Sequence, residues 1–126
     1  MRLAARRDAI ALRPSKEGQK YPRSARIVRK ADFDAVYRNG KRRSSSHFTV
    51  FLKANDLPES RFGFSIKRAL GGAVARNRIR RRMREVVRLH REEISTGWDF
   101  VIHPKANVEK AAFAALGNDL VRMLKV

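Results

Sequence analysis

The sequence predicts an α+β domain with its elements in the order α-β-β-α-β-α, and three observations carry that prediction. Three segments space apolar residues as a helix does, three shorter ones alternate them or run them together, and Gly, Asn, Asp and Pro stand at the joints. The 126 residues are 43% apolar, enough for one domain with a modest core.

Residues 1–25 lack sustained periodicity and set Pro14 and Pro22 among seven basic residues, so they are expected to form a flexible basic arm ahead of a domain at 26–126. From Lys30, residues Phe33, Val36 and Tyr37 fall at i, i+3 and i+4, Asp32 and Asp34 fill the first turn, and Asn39 and Gly40 stop a short helix. A basic turn at residues 40–43 leads into HFTVFLK, where Phe48, Val50 and Leu52 alternate with Thr49, Phe51 and Lys53 in a half-buried strand. Asn55, Asp56 and Pro58 then mark a turn. RFGFSIKR follows, with Phe62, Phe64 and Ile66 on one face and Gly63, Ser65 and Lys67 on the other, and these two strands are expected to pair antiparallel. Gly71 and Gly72 break the chain before the long helix, whose apolar stripe is Ile79, Met83, Val86, Val87, His90 and Ile94. After Gly97 comes the strand WDFVI, stopped by Pro104. A last helix, with Asn107 as the expected N-cap, carries Phe113, Leu116, Leu120, Val121 and Leu124.

Charge narrows the function. Thirty Lys and Arg against twelve Asp and Glu leave a net charge of +18, which implies a polyanionic partner. No apolar run reaches the roughly 18 to 20 residues of a membrane span, and the N-terminus lacks the apolar core of a secretion signal. Cysteine is absent, which excludes disulfides and thiolate metal sites and makes a cytoplasmic protein the simplest expectation. The apolar positions are spread over several short elements, unlike the single apolar face of a membrane-surface helix, so nucleic acid is favoured.

At about 100° per residue the arginines of the long helix separate into two groups beside the apolar stripe. Arg80, Arg84, Arg88 and Arg91 share a side with Asn77, with Arg76 at its near edge, and Arg78, Arg81 and Arg82 lie further round. A solvated helix face usually mixes Glu with its basic residues, but here Glu85 stands alone until Glu92, so two phosphate tracks are the better reading. Phe51 falls on the polar face of its strand, outside the core pattern, where an aromatic ring serves as a stacking platform for an unpaired base. Gly63 and Ser65 would leave room for a strand of RNA on that face, and Phe33 and Tyr37 either extend the platform or belong to the core. His47, His90 and His103 are scattered and Asp99 is a lone acid, so no active site borne by the protein is expected.

RFGFSIKRALGGAVARNRIRRRMREVVR, with Arg76, Asn77 and Arg78 after the glycine turn, resembles the protein subunit of bacterial ribonuclease P. RIVRKADFDAVYRNGKR looks like that family's opening helix and HFTVFLK like its first strand, and the likeness runs from Arg26 to about Val126. The resemblance implies a two-layer α+β sandwich with a left-handed β-α-β crossover. It also implies endonucleolytic maturation of the transfer RNA 5′ end by a holoenzyme whose catalytic centre and Mg²⁺ belong to its RNA subunit. The partners implied are the catalytic RNA and precursor transfer RNA, with no obligatory protein partner. Leader-binding positions carried over are Phe33, Tyr37, Phe51, Arg76, Asn77, Arg80 and Arg84. Lys67, Arg68, Arg78, Arg81 and Arg82 are left as candidates for the catalytic RNA. Ala69, Gly72, His103 and Pro104 depart from the family pattern, and His103 and Pro104 are given no role.

Two rival readings stand beside this one. A structural RNA-binding protein of ribosomal type would share the charge and size but would need no aromatic cleft for a mobile single strand. A nucleoid-type DNA binder would show helix-turn-helix spacing or a dimerisation surface, and neither is visible.

Overall fold

A computed structural model describes residues 25–126, so the expected basic arm lies outside the described residues except for Ala25, which is buried. The elements are α1 (Lys30–Asn39), β1 (Lys41–Ser44), β2 (Phe48–Ala54), β3 (Arg61–Phe64), α2 (Ala73–His90), β4 (Trp98–Pro104) and α3 (Phe113–Leu124). Short 3₁₀ turns, Arg68–Leu70, Arg91–Glu93 and Ala106–Glu109, precede α2, follow it and lead towards α3.

β1 is a strand where the sequence suggests only a basic turn. Its residues Lys41, Arg42, Arg43 and Ser44 are all exposed, so no alternation betrays it; its partner supplies the order, with Lys41 opposite Leu52 and Ser44 opposite Thr49. A charged edge strand of this kind resists pairing with other chains.

The expected pairing of the two central strands is replaced. The sheet runs β1-β2-β4-β3, and β4 inserts between β2 and β3, antiparallel to the first and parallel to the second. The physical reason is burial: Phe100, Val101 and Ile102 are covered on both faces, which only an interior strand can satisfy. The β2–β3 connection runs past the end of β4, where the Asn55 amide N–H donates to Gly97 O at 2.9 Å and Ser60 Oγ donates to Ser95 O at 2.6 Å. α2 is thus the crossover between parallel neighbours.

One face of the sheet, Phe48, Val50, Leu52, Phe62, Phe100 and Ile102, packs against α2 and α3 in the main core. α2 contributes the predicted stripe and α3 contributes Leu116, Leu120 and Leu124. His90 reaches α3 at Gly117, where a Cβ would lie 2.5 Å from His90 Nε2, so glycine sets how closely the two helices approach. α1 lies on the opposite face, joining Val36 to Ile27 and Val101 with Phe33 and Phe51 at the margin.

α3 starts at Phe113 after Ala112, and Asn107 does not cap it. The Asn107 side chain instead donates to Ser46 O at 3.0 Å, and its carbonyl receives the Lys110 and Ala111 N–H groups in the preceding turn. Among the described residues no helix is long and apolar enough to cross a membrane.

Candidate RNA interface

Gly71, at φ +138°, makes the bend that turns the chain from the Lys67–Leu70 segment into α2. The helix that follows has no acid in its first turn. Asn77, Arg80, Arg81 and Arg84 line one shallow concavity of about 170 Å³, with Arg80 Nη1 donating to Asn77 Oδ1 at 3.0 Å. Arg80 and Arg84 also border a second concavity of about 140 Å³, which Phe33 and Arg26 share. The fold therefore brings Phe33 of α1 beside Arg80 and Arg84 of α2.

The room expected above Gly63 is already filled. A Cβ on Gly63 would come within 2.8 Å of Phe33 Cζ and 3.2 Å of Ile27 Cβ, so glycine is there to admit the Phe33 ring and not a strand of RNA. Phe33 is half-buried in the small core under α1, with its free side towards Arg80 and Arg84.

Tyr37 and Phe51 meet edge to face, centroids 5.1 Å apart, and Phe51 meets His103 in the same way at 5.3 Å. Tyr37 Oη lies 2.9 Å from His103 Nε2. Burial, and then the nearby Lys67 charge, hold the His103 pKa below its ordinary value, so the ring is neutral at neutral pH. Phe51, His103, Lys67, Arg42 and Thr49 line a concavity of about 420 Å³. Neither His103 nor Arg42 stands among the site residues the sequence suggests. The signal that could have found them is register, because Arg42 opposes Phe51 across β1–β2 and His103 opposes Thr49 across β2–β4.

The arginines further round α2 are not equivalent. Arg82 donates to three backbone carbonyls, Val108, Glu109 and Ala111, at 3.2, 2.8 and 2.8 Å, and sits over the Phe113 ring. It fastens the segment before α3 to α2, which makes it a structural residue. Arg78 pairs with Glu109 at 2.9 Å on the surface, and Arg68 is exposed. Arg81, expected on this side, shares the concavity of Asn77, Arg80 and Arg84. Arg76 borders none of the three concavities, and its buried Nε has no hydrogen-bond partner among the described residues.

The acids and histidines hold the fold. Asp99, solitary in the sequence, is buried and receives Arg61 through Nε at 2.9 Å and Nη2 at 2.6 Å, together with the Asn55 amide at 2.9 Å. His90 pairs with Glu93 at 2.9 Å. Ser45 Oγ and His47 Nδ1 both reach the same oxygen of buried Asp119, at 2.7 and 3.0 Å. The serine hydroxyl thus donates to the carboxylate, which joins the turn before β2 to α3.

The family model for ribonuclease P matches residues 21–126. The ribonuclease P protein component of Desulfovibrio desulfuricans is 38% identical over 108 residues, covering 82% of this chain and 83% of its own. That of Syntrophus aciditrophicus is 35% identical over 98 residues, covering 78% and 82%. Among solved structures, the ribonuclease P protein of Thermotoga maritima aligns with a TM-score of 0.74 at 30% identity, over 79% of this chain and 94% of that one. The Staphylococcus aureus ribonuclease P protein aligns at 0.68 with 28% identity, over 79% and 91%. With the whole domain matched in sequence and its architecture matched in structure, this chain belongs to the ribonuclease P protein family.

Proposed function

We propose that the chain binds the 5′ leader of precursor transfer RNA along the Phe33, Arg80 and Arg84 concavity and the Phe51 and Tyr37 aromatics, while the RNA subunit of ribonuclease P supplies the catalytic centre. As a ribonuclease P protein component it works with that RNA in transfer RNA 5′ processing. The observation that carries the leader assignment is that Phe33 of α1 and Arg80 and Arg84 of α2 line one concavity, with the Tyr37 and Phe51 rings meeting edge to face nearer β4. Stacking plus guanidinium groups suits an unpaired strand, whose bases are free to splay onto rings. Asn77 holds Arg80 in place for a phosphate, and Lys67, Arg68 and Arg78 remain for the catalytic RNA.

The Mg²⁺ of the reaction belongs, in this reading, to the RNA. No three His, Asp or Glu side chains converge on a metal position among the described residues, and every described histidine is held by a neighbour in the fold. The protein's own contribution is to orient the leader and neutralise its charge, in the cytoplasm where precursor transfer RNA is made.

The test is reconstitution. Protein freed of RNA should leave precursor transfer RNA intact until the catalytic RNA and Mg²⁺ are added; 5′ cleavage by the protein alone would overturn the division of labour.

A further inference from the structure

We propose that Arg61 is a positioning residue for the leader site: anchored on Asp99, it holds Asp32 and so sets the rotation of α1 that aims the Phe33 ring at Arg80 and Arg84. The inference rests on the leader-binding reading above and goes further by naming what orients its ring. Arg61 stands opposite Asp99 in the parallel register of β3 and β4, and its Nε and Nη2 donate to the two oxygens of that buried carboxylate at 2.9 and 2.6 Å. Asn55 donates to the same carboxylate at 2.9 Å. A fork held in this way gives the guanidinium one orientation. Its remaining nitrogen, Nη1, lies 3.7 Å from Asp32 Oδ2 in the first turn of α1.

Asp32 and Phe33 are consecutive on α1, and they sit against Arg61 and Gly63, which are two residues apart and so share one face of β3. The apolar contacts of Phe33 and Val36 set how near the helix comes to the sheet, but they are not directional and tolerate a small roll about its axis. The ion pair at the N-terminal end of α1 resists that roll. A roll that releases Asp32 also turns the neighbouring ring away from the α2 arginines. An acid this close to the leader otherwise has no use there, since its charge repels phosphate. Asp34, two residues on, carries the same charge with no partner among the described residues, and so provides a matched control.

The experiment measures the ratio of precursor to mature transfer RNA affinity for the full-length protein assembled with the catalytic RNA. Asp32→Asn removes a negative charge, which by charge alone favours RNA. The positioning role predicts the opposite, a ratio lowered roughly two- to fivefold, the scale of a partly exposed ion pair. Asp32→Glu still reaches Arg61 and should keep most of the ratio, and Asp34→Asn should leave it unchanged or raise it. Because Asp32 acts through the ring, Asp32→Asn should lower the ratio no further in a Phe33→Ala background, a result that a general loss of stability would not give. Arg61→Lys should lower the ratio as Asp32→Asn does; if it fails to fold because Asp99 loses its fork, the Asp32 variants decide. The assignment is overturned by an Asp32→Asn ratio at or above wild type, by Asp32→Glu falling as far as Asp32→Asn, or by a further fall in the Phe33→Ala background. The leader reading itself fails separately, when Phe33→Ala and Arg80→Ala with Arg84→Ala leave the ratio at its wild-type value.

Discussion

The ring of Phe33 lies on Gly63 so closely that a Cβ there would stand 2.8 Å from Phe33 Cζ. That contact fixes the distance between α1 and the sheet and aims the free side of the ring towards Arg80 and Arg84. Gly63→Ala must therefore displace Phe33 or α1. The expected cost is about 1 to 3 kcal/mol in urea unfolding, the usual range for overpacking. Binding of the leader should weaken with it, read as a smaller difference between precursor and mature transfer RNA. A Gly63→Ala variant as stable as wild type would mean that α1 is not seated by this contact.

Arg82 should behave as a structural arginine. Its guanidinium serves three carbonyls at once, and truncation leaves those acceptors to find water or nothing. Arg82→Ala should lose about 2 kcal/mol of stability, and Arg82→Lys should recover little of it, because an ammonium cannot span three acceptors held in a fork. Thermal or urea unfolding of the free protein checks this without any RNA. An unchanged midpoint in Arg82→Ala would return the residue to the RNA-facing candidates.

The elements that sequence makes legible are those with a one-sided apolar pattern. The α2 stripe from Ile79 to Val87 and the β2 alternation from Phe48 to Leu52 are buried as periodicity predicts. β1 is invisible because an edge strand with four exposed residues has no face to reveal. The interior place of β4 is written in its continuous apolar run, but strand order depends on which chain segments can cross an end of the sheet, and no local pattern reports that. The same gap separates the two halves of the site. The grouping of Arg80 and Arg84 with Asn77 follows from helical geometry, and their candidate role from the family resemblance, whereas the pairing of Tyr37 with His103 joins residues 66 positions apart through α1 and β4. Gly63 suggests open space in the sequence because an absent side chain looks the same there whether RNA or Phe33 occupies the gap.

Acid should unfold the domain partly through Asp119. Burial alone would raise this carboxyl, but hydrogen bonds involving Ser45, His47 and Arg122 outweigh it and hold its pKa below the ordinary value. The unfolded chain consequently takes up the proton first. The stability from Asp119 is present in full above its unfolded pKa, near the ordinary carboxylate value of 3.8, and is lost as pH falls through the folded one. Asp119→Asn keeps the shape and removes the charge, so it should cost about 1 to 3 kcal/mol at neutral pH and flatten the acid limb of a stability-against-pH curve. If wild type and variant lose stability in parallel as the pH falls through the carboxylate range, the carboxylate is not a source of that limb.

The arginines of α2 should separate by ligand once Arg82 is set aside. Arg80→Ala with Arg84→Ala removes charge next to Phe33, where the leader is proposed to run, and should weaken precursor binding more than mature transfer RNA binding, since only the precursor has a leader to lose. Arg68→Ala with Arg78→Ala removes two exposed charges outside that concavity and should weaken assembly with the catalytic RNA while preserving the ratio of precursor to mature affinity. Removing one arginine–phosphate pair should flatten the slope of log K against log salt by about 0.7 to 0.9. Phe51→Ala should share the selectivity of the first pair yet leave that slope nearly unchanged, because stacking releases few counterions. Arg81→Ala decides a specific point: its place beside Asn77, Arg80 and Arg84 assigns it to the leader group, against its angular position on an ideal helix. Titrations at several salt concentrations against precursor, mature transfer RNA and catalytic RNA supply every comparison. If both arginine pairs weaken all three ligands by the same factor, α2 is a uniform basic surface, and the division into leader and catalytic-RNA faces is wrong.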